Sequence, residues 1–182
     1  MRLKAFTFRS YVKLLAEDGR REAVMAIVPP ATAALIAAPP LAGSWMDLWH
    51  IFHISQAIET LAGMTAVRDL ARRGTDDARK PYMGIAEGIL KLFGTSPATL
   101  FKHMNSLVSS FIEGLDYQFK AMSPRSGTMQ VTYGHDEDIP LCVFFSGMPA
   151  LQHLLETCGV KGGVVGAPER LSPNRVRYHI QW

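Results

Sequence analysis

Three side chains that can bind a metal ion recur every third residue in the first third of the chain: Asp47, His50 and His53. Carboxylate and imidazole groups are ligands for zinc and iron, so this stripe could supply three ligands of a metal site. No fourth ligand is evident in the sequence. Bulky apolar residues occupy almost every other side of the predicted helix, namely Trp45, Trp49, Ile51, Phe52 and Ile54. We therefore expect a deeply packed helix whose histidines fill polar gaps.

A histidine and a cysteine, His153 and Cys158, lie five residues apart near the C-terminus. A nucleophilic Cys–His pair needs a third group that orients the base and a donor for the oxyanion. Cys158 instead precedes Gly159, which is predicted to end a helix, and the negative end of the helix dipole raises the pKa of a thiol. We expect an inert thiol. Since no acid, base and nucleophile assemble elsewhere, the sequence predicts a protein that is not an enzyme.

The composition argues against several functional classes. Hydrophobic residues make up 48% of the chain and charged residues 19%, which predicts a sizeable core and not a disordered chain. The net charge is +3, and the one basic run, Arg68 to Lys80, is interrupted by aspartates, so no nucleic-acid surface is expected. Cys142 and Cys158 lack Cys-x-x-Cys spacing, so we expect a cytoplasmic protein without disulfides.

An uncharged stretch from Ala23 to Met46 is long enough to span a bilayer. Prolines at positions 29, 30, 39 and 40 divide it, and each one removes a backbone donor and interrupts a helix. We therefore predict two short helices buried against the rest of the domain, and no membrane span.

Hydrophobic periodicity predicts helices in the first two-thirds of the chain and mostly strands after them. The predicted helices cover 6–28, a short segment after Pro30, 45–62 with Ser44 as N-cap, 64–74, a segment from Pro81 to Gly94, and 97 to about 122. The predicted strands are SGTMQVTYG, IPLCVFF, KGGVVGAPE and NRVRYHIQW, and a helix over GMPALQHLLETCGV separates the second strand from the third.

These elements predict an α+β fold with an N-terminal helical layer followed by a β-β-α-β-β unit with a small antiparallel sheet. The length suits a single domain over residues 1–182. In this prediction residues 1–122 form the helical part and residues 123–182 form the sheet-containing part.

Three segments carry a resemblance to a known superfamily: LAGSWMDLWHIFH, LFGTSPATLFKHM, and the pair SGMPALQHLLETCGV and VRYHIQW. The chain resembles an uncharacterised bacterial branch of the superfamily that contains haem-based H-NOX sensor domains, 4-vinyl reductase domains and TRAPP tethering subunits. The resemblance covers nearly the whole chain. It consists of hydrophobicity and turn patterns and includes no catalytic motif.

The resemblance implies a test for haem binding. In H-NOX proteins a histidine ligates the haem iron, and a Tyr-x-Ser-x-Arg motif about thirty residues later binds the haem propionates. His103 and Tyr133 match in spacing, but His135 stands at the serine position and Glu137 at the arginine position. A carboxylate at that position would repel the acidic edge of the haem.

The predicted helix over 97–122 gives a second test of His103. At 100° per residue, His103 lies roughly 140° from the middle of the apolar arc, on the side of Ser106, Ser110 and Gly114. A buried iron ligand would point from the apolar side into a pocket, so this position favours a packing or surface histidine. The apolar arc consists of Phe101, Met104, Val108, Ile112, Leu115 and Phe119.

The 4-vinyl reductase branch often carries a Cys-x-x-x-Gly-Asp-x-x-Cys pattern before the last strand. Counted back from Trp182, Pro168 and Val176 occupy the two cysteine positions, and Ser172-Pro173 replaces the Gly-Asp turn. The resemblance to this branch therefore implies no metal or redox chemistry here, and only the final aromatic strand is retained.

Two functional interpretations stay open. The first is a non-enzymatic regulatory, ligand-binding or protein-interaction module without a cofactor, in which the helices and the sheet enclose a pocket for a small apolar ligand, or form a surface for a homodimer or a signalling partner. The residues expected to line that pocket or its core are Trp45, Trp49, Phe52, Phe101, Met104, Phe111 and Tyr133. The alternative is a haem-binding gas or redox sensor with His103 as the axial ligand.

Overall fold

The computed structural model of the chain describes residues 1–77, 88, 96–134 and 138–182. Within them, none of the helices combines the length and the apolar character that a membrane crossing requires. The described helices are α1 (Ala5–Glu17), α2 (Arg21–Ile27), α3 (Pro30–Ala37), α4 (Trp49–Asp77), α5 (Pro97–Lys102), α6 (Met104–Val108) and α7 (Leu141–Thr157).

The described strands form two antiparallel sheets. The smaller sheet has the order β2-β1-β3, and the larger sheet has the order β4-β5-β7-β6. The strands are β1 (Arg2–Lys4), β2 (Trp45–Asp47), β3 (Ile112–Glu113), β4 (Leu115–Ser123), β5 (Ser126–Tyr133), β6 (Gly163–Ser172) and β7 (Arg175–Gln181).

The smaller sheet joins distant parts of the chain through its central strand. In β1, the buried Leu3 is paired with Met46 of β2 on one side and with Ile112 of β3 on the other. The Lys4 amide also donates to the Phe111 carbonyl at 2.8 Å. The start of the chain is therefore fixed against the residues that lead into the larger sheet.

The helical layer is centred on α1 and α4, which contact each other. The buried residues of α1 include Phe8, Tyr11 and Leu15, which recur at helical spacing and turn one apolar face inward. In α4, a Cβ added to Gly74 would lie 2.7 Å from the Tyr11 ring. A glycine is needed there because only its missing side chain lets the two helices approach so closely.

The helix α4 is interrupted at Gly63, which has φ 78° and ψ 175°. This positive φ belongs to the region that glycine adopts without steric cost. The prediction that a helix ends at Gly63 is therefore confirmed, although a second helical stretch follows at once and is described as far as Asp77, beyond the predicted Gly74.

One face of the larger sheet is covered by α7. The β5 side chains on this face are Met129, Val131 and Tyr133, and β7 contributes every second residue in the same way, with Val176, Tyr178 and Ile180. The Tyr178 hydroxyl donates to the Phe144 carbonyl of α7 at 2.7 Å. Alternating burial of this kind is typical of a sheet that packs one face on the core.

Much of the sequence-based prediction is confirmed. The fold is α+β, the uncharged stretch holds most of α2 and all of α3, the strands β5 and β7 lie where alternation predicts them, and β6 overlaps the predicted strand KGGVVGAPE. The helix that opens at Pro97 after Ser96 is also present. The predicted helix from Pro81 to Gly94 lies outside the described residues, apart from Gly88.

The predicted helix from 97 to about 122 is wrong beyond Val108, so the change from helix to strand falls near Phe111 and not at residue 122. Gly114 has φ 84°, which ends any helix, and Leu115, Tyr117 and Phe119 then alternate with polar residues. Asn105 holds the new strand against α6, because its side chain accepts from the Tyr117 amide at 2.8 Å and donates to the Tyr117 carbonyl at 3.1 Å.

The predicted strand IPLCVFF is also wrong, because α7 begins at Leu141. An unbroken apolar run does not distinguish a buried strand from a buried helix. Cys142, Val143 and Phe144 continue into Met148 and Leu151 as the buried face of one long helix. The β-β-α-β-β order is kept, since β4 and β5 supply the two strands before the helix.

The helix predicted to begin after Ser44 begins at Trp49 instead, since residues 45–47 form β2. Its first turn is capped by Asp47, whose Oδ1 accepts from the Trp49 amide at 3.0 Å. A carboxylate is a favourable cap for the positive end of a helix.

We predict that Gly147→Ala destabilises the protein by about 1–3 kcal/mol, because an added Cβ would lie 2.7 Å from the Tyr178 hydroxyl and displace it from Phe144. Urea unfolding measures this free energy. Gly43→Ala is the matched control, since nothing lies within 4 Å of its added Cβ. Equal stability of the two variants would show that α7 and Tyr178 can accommodate the added Cβ without a loss of stability.

Candidate functional site

A cavity of about 190 Å³ lies where the helices meet the inner face of the larger sheet. Its walls come from α1, the end of α4, residues 104–112, the strands β4, β5 and β7, and α7. The described lining residues are Thr7, Tyr11, Gly74, Thr75, Met104, Leu107, Val108, Phe111, Ile112, Tyr117, Val131, Tyr133, Gly147, Ala150, Leu151, His153, Leu154 and Tyr178.

The cavity walls are mainly apolar. Met104, Leu107, Val108 and Phe111 follow the i, i+3, i+4, i+7 spacing of one helix face, so α6 and the turn after it present one buried face to the cavity. Apolar walls with a few polar groups are typical of sites for small organic ligands.

Two buried phenols form a hydrogen-bonded chain beside the cavity. Tyr178 donates to the Phe144 carbonyl, so its single proton is used, and the Tyr133 hydroxyl hydrogen-bonds Tyr178 as the donor. Burial raises the pKa of Tyr133 and of Tyr178 well above the ordinary value for a tyrosine. Both phenols are therefore neutral, and their protons are engaged within the protein.

The one histidine among the described cavity-lining residues is His153 of α7. It is only 7% exposed, and both of its ring nitrogens are buried without a hydrogen-bond partner. A Glu156 carboxylate oxygen lies 3.5 Å from Nδ1, outside good hydrogen-bond distance. Buried polar atoms are normally paired, so this side chain stands out as a group with unused hydrogen-bonding capacity.

Three of the seven predicted pocket residues line the cavity: Met104, Phe111 and Tyr133. Phe52 lies one layer further away, with its ring edge-on to Tyr133 at 5.9 Å between centroids. The structure does not bring Trp45, Trp49 or Phe101 to the cavity. Trp45 is covered by the Lys4 ammonium at 4.2 Å, Trp49 packs edge-on to Phe52, and Phe101 stacks on Phe119.

His103 does not line the cavity either. It lies between α5 and α6 with φ −99° and ψ 15°, where the helix is interrupted, and it is half-buried. The projection of residues 97–122 on one continuous helix therefore does not apply, because the helix is interrupted at His103 and the chain becomes a strand after Phe111.

The Asp47, His50 and His53 stripe has a packing role. Asp47 caps α4, and the Nδ1 atoms of His50 and His53 both lie 2.9 Å from the hydroxyl of the fully buried Thr32. A hydroxyl has one proton, so when both rings are neutral it donates to one Nδ1 and accepts from the other. The histidines fill polar gaps between α3 and α4, as predicted. Within the described residues, no three His, Cys, Asp or Glu side chains form a metal-binding group.

Both cysteines have raised thiol pKa values. Burial and the nearby Glu59 carboxylate raise the pKa of Cys142 to about 12, and burial raises the pKa of Cys158. A thiol that resists deprotonation is a poor nucleophile. This agrees with the predicted inertness of Cys158.

The sequence analysis considered His153 only as a partner of Cys158. The signal for its actual position was its place among Leu151, Leu154 and Leu155 on an amphipathic helix, which puts an imidazole on or beside the buried face. Tyr178 could have been placed by the alternation of β7. No local sequence pattern indicates that α1 and α4 form part of the cavity wall, because that arrangement depends on packing between distant parts of the chain.

Solved structures with a similar fold cover almost the whole chain. An H-NOX protein from K. algicida in its Fe(II) unliganded form has a TM-score of 0.71 at 9% identity, covering 98% of this chain and 96% of that one. An oxygen-binding H-NOX domain related to soluble guanylate cyclases, solved as an oxygen complex, has a TM-score of 0.62 at 10% identity, covering 98% and 94%. A structure solved to probe haem distortion in the H-NOX family has a TM-score of 0.62 at 11% identity, covering 99% and 95%.

The chain has the H-NOX fold. The fold that the resemblance implied is thereby confirmed. No protein-family model matches the sequence, and no curated protein matches it. At about 10% identity, the likeness shows the fold of the chain. What the chain binds follows from its own residues.

The described residues do not fit a haem. A volume of about 190 Å³ lies below the range of about 300–1,000 Å³ typical of pockets for drug-sized ligands, and haem is larger than most of these. His103 is not in the cavity wall, and the Tyr133 proton is engaged by Tyr178. His135 and Glu137, which the sequence comparison placed at the propionate-binding positions, lie outside the described residues.

We predict that stability falls below about pH 6.5 through His50 and His53. Burial lowers the pKa of both below the ordinary histidine value of about 6.5, and the neighbouring His50 lowers the pKa of His53 further. The unfolded chain therefore binds more protons, so the contribution is complete above pH 6.5 and is lost as the pH falls through the lower folded values.

Urea unfolding at several pH values between about pH 8 and 5.5 measures the slope of the free energy of unfolding against pH. Replacing both histidines by glutamine (H50Q/H53Q) should flatten it. A slope that is unchanged in this double variant would assign the pH dependence to other groups.

Proposed function

We propose that this chain is a non-enzymatic ligand-binding module with the H-NOX fold, and that its cavity binds a small, largely apolar molecule directly, without haem. The cavity between the helices and the larger sheet carries this proposal. Its volume of about 190 Å³ is somewhat larger than the roughly 150 Å³ apolar cavity that, in another protein, accommodates benzene. A molecule with a single ring therefore suits it.

The chemistry of the lining supports a binding role and not a catalytic one. Its described residues include one imidazole, and no carboxylate, amine or thiol. The phenols of Tyr133 and Tyr178 have raised pKa values and engaged protons, so they are poor proton-transfer groups. The His153 imidazole can exchange a proton, but the described lining places no thiol, amine or carboxylate beside it to complete a catalytic set.

The position of the cavity supports a sensor. Its walls come from α1, α4 and α6 as well as from α7 and the larger sheet, so an occupant contacts elements that are far apart in sequence. A ligand that binds only this arrangement stabilises it over looser ones. We propose that a second copy of the chain or a signalling partner protein detects that change. The free cysteines Cys142 and Cys158 favour a cytoplasmic setting for this role.

We predict that toluene, used as a probe, binds saturably and raises the temperature of unfolding. Val108→Phe should abolish this effect by filling the cavity from its wall, whereas Val165→Phe should not, since Val165 is 48% exposed on β6. Calorimetry and amide NMR shifts for residues 104–111 measure the binding. Absence of any saturable toluene effect on the unchanged protein would contradict the proposed function.

The alternative function is a haem-based sensor with His103 as axial ligand, and the H-NOX fold of the chain is the observation that favours it. Titration with haemin separates the two functions. We expect the absorption spectrum to show no stoichiometric complex that depends on His103. A Soret band at one haem per chain that disappears in His103→Ala would establish the haem sensor instead.

A further inference from the structure

His153 has hydrogen-bonding capacity that the protein does not use. Both of its ring nitrogens are buried and unpartnered in a side chain that is only 8% exposed. Among the described residues, the other buried unpartnered side-chain atom is Arg21 Nε, but that guanidinium still donates to the Ile36 and Ala37 carbonyls. Among the described side chains with buried unpartnered atoms, His153 is therefore the one that makes no side-chain hydrogen bond at all.

Several other polar groups in the cavity wall are engaged within the protein. Tyr178 donates to Phe144, Tyr133 hydrogen-bonds Tyr178, and Thr75 donates to the Ala71 carbonyl at 2.9 Å. The described lining also contains the hydroxyl groups of Thr7, Tyr11 and Tyr117, but His153 is the lining side chain whose buried ring nitrogens have no hydrogen-bond partner. A buried polar anchor with unused hydrogen-bonding capacity in a mainly apolar cavity selects for a ligand with a matching polar group.

The neighbour of His153 indicates which polar group matches. Glu156 Oε2 lies 3.5 Å from Nδ1, and a carboxylate on that side favours the proton on Nδ1. Nε2 is then the free acceptor, and it requires a donor from the ligand. The same carboxylate and the apolar walls disfavour a ligand that carries a negative charge.

We infer that His153 is the polar anchor of the cavity, and that the ligand is a neutral single-ring molecule whose hydroxyl or N–H group donates to Nε2, with phenols as the simplest class. This inference rests on the proposed function, since it names the ligand class of the same cavity. It adds to the proposed function the residue that anchors the ligand and the direction of the hydrogen bond, with the ligand as donor.

The test compares toluene with p-cresol, which differ by one phenolic hydroxyl. Calorimetric titration of the unchanged protein should give p-cresol an affinity about tenfold higher than that of toluene. In His153→Phe the preference should disappear while toluene still binds. His179→Phe is the matched control, because His179 is 53% exposed on β7, and it should keep the tenfold preference.

The outcomes separate the two proposals. If toluene binds and p-cresol binds no better, the anchor is refuted and the ligand-binding module stands. If the preference persists in His153→Phe, the anchor lies elsewhere and the inference is again refuted. If neither molecule binds saturably, the proposed function fails, and the inference fails with it.

Two measurements guard against a variant that does not fold. His153→Phe should unfold at a higher temperature than the unchanged protein when no ligand is present, because it replaces unpaired buried nitrogens with an apolar ring. In the unchanged protein, the ¹⁵N NMR signal of His153 Nε2 should move when p-cresol is added and stay in place with toluene. An Nε2 signal that does not respond to p-cresol overturns the inference without any mutation.

Discussion

The hydrogen bond from the Tyr178 hydroxyl to the Phe144 carbonyl fixes how α7 packs on the larger sheet. It links β7 of the larger sheet to the first turn of α7, and the Tyr133 hydroxyl extends the link to β5. Gly147 makes this possible, since α7 can approach the sheet so closely only where it has no side chain. The cavity lies beside this junction, and the Tyr133 and Tyr178 hydroxyls in its wall are engaged in hydrogen bonds within the protein.

At the position of His153, a stable fold and the proposed ligand-binding function favour different residues. Folding alone would favour an apolar residue on the buried face of α7, as at Leu151 and Leu155, because an unpaired buried imidazole destabilises the folded chain. Departures of this kind are expected where a side chain serves a ligand. The Thr32 hydroxyl shows the contrast, since it satisfies His50 and His53 within the protein and leaves them a structural role.

Sequence reasoning was strongest where one period dominates a segment. Alternation placed β5 and β7, proline and glycine placed the short helices before residue 40, and Gly63 marked the break in α4. It failed at 115–123, where apolar residues suit both a helix and a strand and the choice depends on Asn105 pairing with Tyr117. It failed again at Leu141, where an unbroken apolar run carries no periodic signal.

The candidate site was harder to predict than the fold. Of the predicted pocket residues, Met104, Phe111 and Tyr133 line the cavity, whereas Phe101 stacks on Phe119 and Trp45 packs against the Lys4 ammonium. Whether a buried imidazole finds a partner depends on side chains from other elements. No local pattern could show that His153 has none.

The central position of β1 in the smaller sheet has a consequence for the order in which the chain folds. Arg2 and Glu113 form an ion pair across 111 residues, and β1 also pairs with β2. Such a contact closes a long loop. The entropic cost of closing long loops slows the folding of proteins that are rich in contacts between distant residues. During synthesis the first strand must wait until residue 113 has left the ribosome before its sheet is complete. The helices α1 to α3 can form in that interval, so this sheet closes after the helices that lie between its first two strands.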